Sequence, residues 1–144
     1  MSLDGAYDDD NVFAKILRGD MLSVKVYEDE EVLAFMDVFP QSPGHVLVIS
    51  KTSKARNLLD IEPQVLSGLV LKVQHLAKAV RTALKPDGLT IMQFNGQAGG
   101  QTVFHLHFHI IPRWENQPLG RHEGGMADMT ELKAQAAAIS AALS

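Results

Sequence analysis

"FHLHFHIIPR", Phe104–Arg113, holds three of the six histidines in a chain of 144 residues, at positions 105, 107 and 109, with one apolar residue in each gap. A period of two belongs to a β-strand, where side chains alternate between faces and residues two apart lie about 6.6–6.8 Å apart along one face. His105, His107 and His109 are therefore expected on one face, with Phe104, Leu106, Phe108 and Ile110 filling the core behind them. The pattern predicts a strand over "TVFHLHFHII" that ends at Pro112, buried on one side and chemically armed on the other.

Working outward, "NGQAGGQT" (95–102) places three glycines directly before that strand, and "LTIMQFN" (89–95) reads as the strand before the loop. Upstream, apolar residues at 61, 65, 66, 69, 70, 73, 76, 77, 80 and 84 follow a helical period, with Asp60 as the expected cap, Pro63 in the first turn and "KPDG" as the stop. "HVLVIS" (45–50) is a strand entered through the rigid loop "FPQSPG". "VKVYEDEEVLAFMDV" reads as two strands joined by the acidic turn Glu28 to Glu31. "VFAKILRG" (12–19) suits a short helix capped by Asp10 or Asn11 and stopped by Gly19. Residues 1–10 are acidic and are expected to form a loose tail. After "RWENQPLGRHEGGMAD", which has loop composition, residues 129–144 suit a helix with a weak stripe at Leu132, Ala136, Ile139 and Leu143. The expected organisation is one domain over 11–120, preceded by the tail and followed by an extension over 121–144 that contains this helix.

Composition limits the function. The chain is 46% hydrophobic, enough for a real core, and has no cysteine, which excludes disulfides and thiolate metal sites. A net charge of −4 argues against a broad electrostatic grip on DNA or RNA. No apolar run approaches the roughly 20 residues of a membrane span, and the acidic start is unlike a secretory signal. The expectation is a cytoplasmic protein that binds neither nucleic acid nor membrane.

Three readings of the histidine strand compete. Histidines can decorate a solvated face by chance. His-x-His on a strand can hold zinc through neutral imidazoles, with His45 as a fourth ligand. An unprotonated imidazole can also attack phosphorus, while neighbouring histidines fix its tautomer and move protons. The adjoining glycine-rich loop favours the third, because its backbone N–H groups can approach a phosphate closely.

"HLHFHII" resembles the His-φ-His-φ-His-φ-φ signature (φ apolar) of the histidine triad, or HIT, family of nucleotide hydrolases and transferases. "VFAKILRGD", "VYEDEEVLAFMDVFPQSPGHVLVISK" and "NGQAGGQTVFHLHFHIIPR" resemble successive blocks of its Hint-like branch, over roughly residues 11 to 115. The resemblance implies an α+β, HIT-like fold with a five-stranded antiparallel sheet, one long and one short helix, a further C-terminal helix, and a homodimer. It implies that His107 is the nucleophile at the α-phosphorus, that His109 contacts the phosphate and assists the leaving group, that His105 orients His107, and that His45 links to His105. It further implies that Gln101, Thr102 and Asn95 lie at the phosphate, that Asp37 binds the ribose hydroxyls, and that Phe13, Ile16, Phe35 and Val38 wall the base pocket.

One departure concerns metal: many bacterial relatives carry a C-x-x-C pair that joins histidines at a structural zinc, and Asn11 and Ala14 stand at the corresponding positions here. No metal and no cofactor are therefore expected. The tail "WENQPLGRHEGG" also departs from the nearest Hint proteins, which bears on the leaving group. The leading expectation is hydrolysis of purine nucleoside phosphoramidates or related conjugates of AMP or GMP. The alternatives are a dinucleoside polyphosphate hydrolase of the same family and a non-catalytic nucleotide- or metal-binding module.

Overall fold

A computed structural model describes residues 3–120 and 125–143. Five strands form one sheet in the order β1-β2-β3-β5-β4, with every neighbouring pair antiparallel. The strands are β1 (Lys25–Glu28), β2 (Val32–Met36), β3 (Val46–Ser50), β4 (Gly88–Met92) and β5 (His107–Arg113), and the helices are α1 (Val12–Leu17), α2 (Pro63–Leu84) and α3 (Met129–Ala141). The expected α+β architecture is present.

Strands β2 and β3 are buried at every position because both of their faces are covered. On one face Val32, Ala34 and Met36 of β2, Val46 and Val48 of β3, and Leu106 and Ile110 meet α2 and α3 through Leu69, Val73, Leu76, Leu132 and Ile139. On the other, Leu33, Phe35, Leu47 and Ile49 form a smaller cluster with Phe13 of α1. The alternating residues of β5, His107 and His109, project on that second face, opposite Ile49 and Leu47 in register. The first face stabilises the fold, and the second builds the site. Among the described residues no helix is long and apolar enough to cross a membrane.

The local signals are mostly realised. Asn11 caps α1 by accepting from the Ala14 N–H at 3.0 Å, and Gly19 follows the helix at φ 83°. Asp29 closes the β1–β2 turn by accepting from the N–H groups of Glu31 and Val32, both at 2.8 Å. The weak stripe on α3 is real, with Leu132, Ala136 and Ile139 buried. The C-terminal helix thus shares the main core, while residues 121–124, where the extension was expected to begin, and Ser144 lie outside the described residues.

Five expectations need correction. Asp60 does not cap α2: its carboxylate takes the N–H groups of Arg56 and Asn57, and Glu62 occupies the cap position. The histidine strand begins at His107 and not at Thr102, because β3 ends at Ser50 and the preceding segment turns to the 53–57 loop, where the Leu106 N–H meets the Ala55 carbonyl at 3.0 Å. Phe104 leaves the core with that segment and stacks under the Arg56 guanidinium at 4.9 Å. Pro112 does not end β5; it pairs with Leu89 of β4 beyond the last β3 partner, Ile110, so a residue without an N–H fits the unpaired side. The acidic N-terminal residues are also tied to the body, since Asn57 donates to the Leu3 carbonyl at 2.9 Å and Lys54 pairs with Asp9 at 3.0 Å.

Gly44, on the loop entering β3, has φ 88°, and a Cβ there would lie 2.3 Å from Leu84 Cδ1 and 3.2 Å from Pro112 Cγ. Gly44→Ala should lower stability by roughly 1–3 kcal/mol in urea unfolding, from left-handed strain and overpacking together. Gly88→Ala, with nothing within 4 Å of the new methyl, should change it by no more than about 0.5 kcal/mol.

Candidate active site

A cavity of about 450 Å³ opens on the second face of the sheet, between α1, the end of β2, the 102–103 segment and β5. Phe13 and Ile16 come from α1, Phe35, Asp37 and Val38 from β2 and the turn after it, and Thr102, His107 and His109 from the chain entering and forming β5. Eight positions expected at a nucleotide thus converge on one mostly apolar hollow. Eight further lining residues were not anticipated, among them Met21, Leu22, Phe39 and Val103. Leu22 is 96% exposed, and nothing in "DMLSV" marks that residue as the rim of a site rather than a surface accident.

The hydrogen bonds around the histidines specify their tautomers. His107 Nδ1 lies 2.7 Å from the carbonyl oxygen of its own chain neighbour two residues back, His105. A carbonyl can only accept, so Nδ1 carries the proton and Nε2 of the neutral ring is the basic, nucleophilic nitrogen. His109 is set the opposite way. The Gln41 N–H donates to His45 Nδ1 at 3.1 Å, so neutral His45 is protonated on Nε2, which lies 2.8 Å from His109 Nδ1. His109 Nδ1 then accepts, and its Nε2 carries the proton. Two rings whose centroids stand 4.9 Å apart are thereby committed to opposite roles, one as electron-pair donor and the other as proton donor.

The remaining rings hold these two in place. Phe13 meets His107 edge-to-face at 4.8 Å and 88°, and Phe94 leans on His109 at 5.3 Å. His105, buried ahead of the strand, donates from Nε2 to the Ser50 carbonyl at 3.2 Å and accepts at Nδ1 from the Tyr7 hydroxyl at 2.6 Å. His45 links to His109 here, rather than to His105 as the resemblance implied.

Asp37, 7% exposed, accepts the Phe39 N–H on Oδ1 at 2.9 Å and keeps Oδ2 3.6 Å from His45 Nε2. Gln101 and Asn95 stand apart from the cavity. Gln101 is buried with both ends of its amide on loop backbone, accepting from Gly96 at 2.8 Å and donating to the carbonyls of Arg56 and Val103 at 2.6 and 3.0 Å. Asn95 accepts from the Leu58 N–H at 2.9 Å and exchanges amide bonds with Gln93. Both shape the glycine-rich loop, and Thr102 alone of the three expected phosphate contacts lines the cavity.

Metal can be tested on the donor atoms. At the positions of the C-x-x-C pair, Ala14 has no ligand atom and the Asn11 oxygen is already engaged as a helix cap, so a zinc joined there does not fit. Asp37, His45 and His109 do bring ligand atoms within 4.8 Å of one another. The two imidazole nitrogens in that group, however, sit at a hydrogen-bond separation of 2.8 Å. Two nitrogens tetrahedral about one zinc would stand about 3.3 Å apart at the usual Zn–N distance.

A HIT domain model matches residues 18–116. The chain belongs to the HIT family. That family comprises nucleotide-binding and hydrolase-type proteins. Protein hit of Bacillus subtilis is 44% identical over 103 residues, 72% of this chain and 70% of that protein. Adenylylsulfatase HINT3 of Arabidopsis thaliana is 38% identical over 119 residues, 78% of this chain and 60% of the plant protein. Among solved structures, a Hit-like protein of Bartonella henselae, described as involved in cell-cycle regulation and crystallised with an unknown ligand, superposes with a TM-score of 0.91 at 49% identity, over 96% of this chain and 99% of that one. The HIT match and these structures agree with the five-stranded sheet and its three helices.

Burial, opposed only by the Ser50 carbonyl, holds His105 well below its usual value of 6.5, at about 4. Since the folded value lies below the unfolded one, the unfolded chain takes up the proton first as the pH falls. The stabilisation is whole above pH 6.5, declines below it, and is spent once the pH passes below about 4. At about 1.4 kcal/mol per pKa unit, wild-type stability should drop by up to about 3 kcal/mol across that window through this group. Urea unfolding of His105→Gln over the same pH range should show a correspondingly shallower fall.

Proposed function

We propose that this HIT protein hydrolyses purine nucleoside phosphoramidates or related nucleotidyl conjugates at the α-phosphate, releasing a nucleoside monophosphate through a nucleotidyl-His107 intermediate. The observation that carries the reading is the pair of opposite tautomers on His107 and His109 at one wall of an apolar cavity. The relative named adenylylsulfatase supports conjugates of nucleotides as the substrate class.

In this mechanism His107 Nε2 attacks phosphorus, forming a P–N bond as the bond to the leaving group breaks. The leaving group departs with its electron pair. The positive charge that His107 acquires is stabilised by its Nδ1–H bond to the His105 carbonyl. His109 Nε2–H donates to the phosphate or to the departing atom and so stabilises the negative charge that develops there. Water then cleaves the P–N bond, its hydroxyl going to phosphorus and its proton to the departed group. The base lies between the apolar side chains of α1 and β2, and Asp37 accepts from the ribose hydroxyls. A homodimer in the cytoplasm is the proposed working form.

His107→Ala should lower turnover of an adenosine phosphoramidate by about 10⁴-fold or more, because it removes the two-step route itself. Wild-type protein quenched during a single turnover should carry a nucleoside monophosphate on the peptide containing His107. Absence of that adduct, together with inversion at phosphorus, would mean that water attacks directly.

Asp37→Ala should weaken nucleotide binding by roughly 1–3 kcal/mol, the scale for hydrogen bonds to a charged acceptor. With 2′-deoxy ligands the loss should be much smaller, since one contact is already missing. Equal losses for the two sugars, measured by calorimetry, would assign Asp37 to the turn and His45 rather than to ribose.

A further inference from the structure

Tyr7 lies in the stretch whose composition suggested a loose tail, yet its hydroxyl is 2.6 Å from His105 Nδ1 and its ring meets the imidazole edge-on at 5.6 Å and 65°. The direction of that bond is fixed from the far side of the ring. His105 Nε2–H donates to the Ser50 carbonyl, so Nδ1 is the acceptor and the tyrosine O–H the donor.

The segment is anchored on both sides of Tyr7. Before it, Asn57 holds the Leu3 carbonyl. After it, Asn11 donates to the Asp8 carbonyl at 2.7 Å, Arg18 donates to the Asp9 carbonyl at 2.5 Å, and Lys54 pairs with the Asp9 carboxylate. Six residues beyond Tyr7, Phe13 packs on His107. One short stretch of chain thus touches two members of the triad, His105 through a hydroxyl and His107 through a ring. His105 is only 2% exposed, so water does not readily replace a donor removed from Nδ1.

We propose that Tyr7 is a positioning residue for the hydrolysis. With Ser50 it holds the His105 ring at two points, and the backbone of that same residue supplies the carbonyl that orients His107 Nδ1–H and hence the attacking Nε2. The role rests on the reaction given under Proposed function, and Tyr7 itself touches no substrate.

Tyr7→Phe keeps the ring and deletes only the O–H. With an adenosine phosphoramidate as probe and the full chain as enzyme, kcat should fall roughly 10- to 100-fold, the scale of a small misplacement of a reacting group. KM should stay within about twofold, because Tyr7 does not line the cavity. In ¹⁵N spectra the His105 Nδ1 resonance should move toward that of an imidazole nitrogen accepting no hydrogen bond, and the His107 Nδ1–H signal should shift or broaden with it. An unchanged kcat overturns the proposal, as does a His107 signal that stays in place while His105 Nδ1 moves. A wild type that does not turn over the probe would sink the proposed reaction separately, and the Tyr7 link would then stand or fall on the two histidine resonances.

Discussion

A hydrogen bond of 2.7 Å between His107 Nδ1 and the carbonyl of His105 settles which nitrogen of His107 can act as a nucleophile, and much of the surrounding structure serves to keep that carbonyl in place. The carbonyl belongs to a residue just ahead of β5, where the chain has left the sheet. In a continued ladder a strand carbonyl pairs across to the neighbouring strand. Here β3 stops at Ser50, the chain turns to the 53–57 loop, and a local contact with the next histidine becomes available. The early end of β3 is therefore chemically significant, and the Ser50 carbonyl left at that end receives His105 Nε2–H.

The opposite polarity of His109 comes from a different part of the chain. Its proton position traces back through His45 to a single backbone N–H at Gln41. That N–H sits in the loop between two prolines, and the loop is held from outside by Gly120, whose N–H donates to the Gln41 carbonyl at 2.7 Å. Ala127 similarly donates to the Val38 carbonyl at 2.9 Å. Gly120, just ahead of the C-terminal extension, and Ala127 within it thus support the loop whose N–H orients His45 and, through it, His109. The N-terminal segment reaches His105 through Tyr7, so the two rings, His107 and His109, are each braced from a different part of the chain.

The sequence was legible where one short-range pattern determined the outcome. The period-two pair His107 and His109, the apolar period of α2, the Asn11 cap and the acidic turn at Asp29 each depend on neighbours a few residues away, whereas His105 falls ahead of the strand. Phe13, Ile16, Phe35, Asp37 and Val38, which the resemblance named, line one cavity with His107 and His109. What escaped the sequence depends on partners far along the chain. Tyr7 meets His105 across 98 residues, and His45 meets His109 across 64. Gln101 is the complementary case: the resemblance placed it at the phosphate, but a buried amide must satisfy both its ends, and this one does so on the backbone of its own loop and of Arg56.

The acidic start of the chain failed as a composition argument for a physical reason. Low apolar content means that a segment cannot order itself by burying surface. It does not prevent ordering through hydrogen bonds that the folded body has already prepared. Asn57 and Arg18 offer donors to backbone carbonyls of the segment, and Lys54 offers a charge to Asp9. His105 offers a buried acceptor that costs free energy when left unpaired. The Tyr7 hydroxyl fills that acceptor, and the N-terminal segment, though polar, thereby becomes part of the structure around the histidine triad.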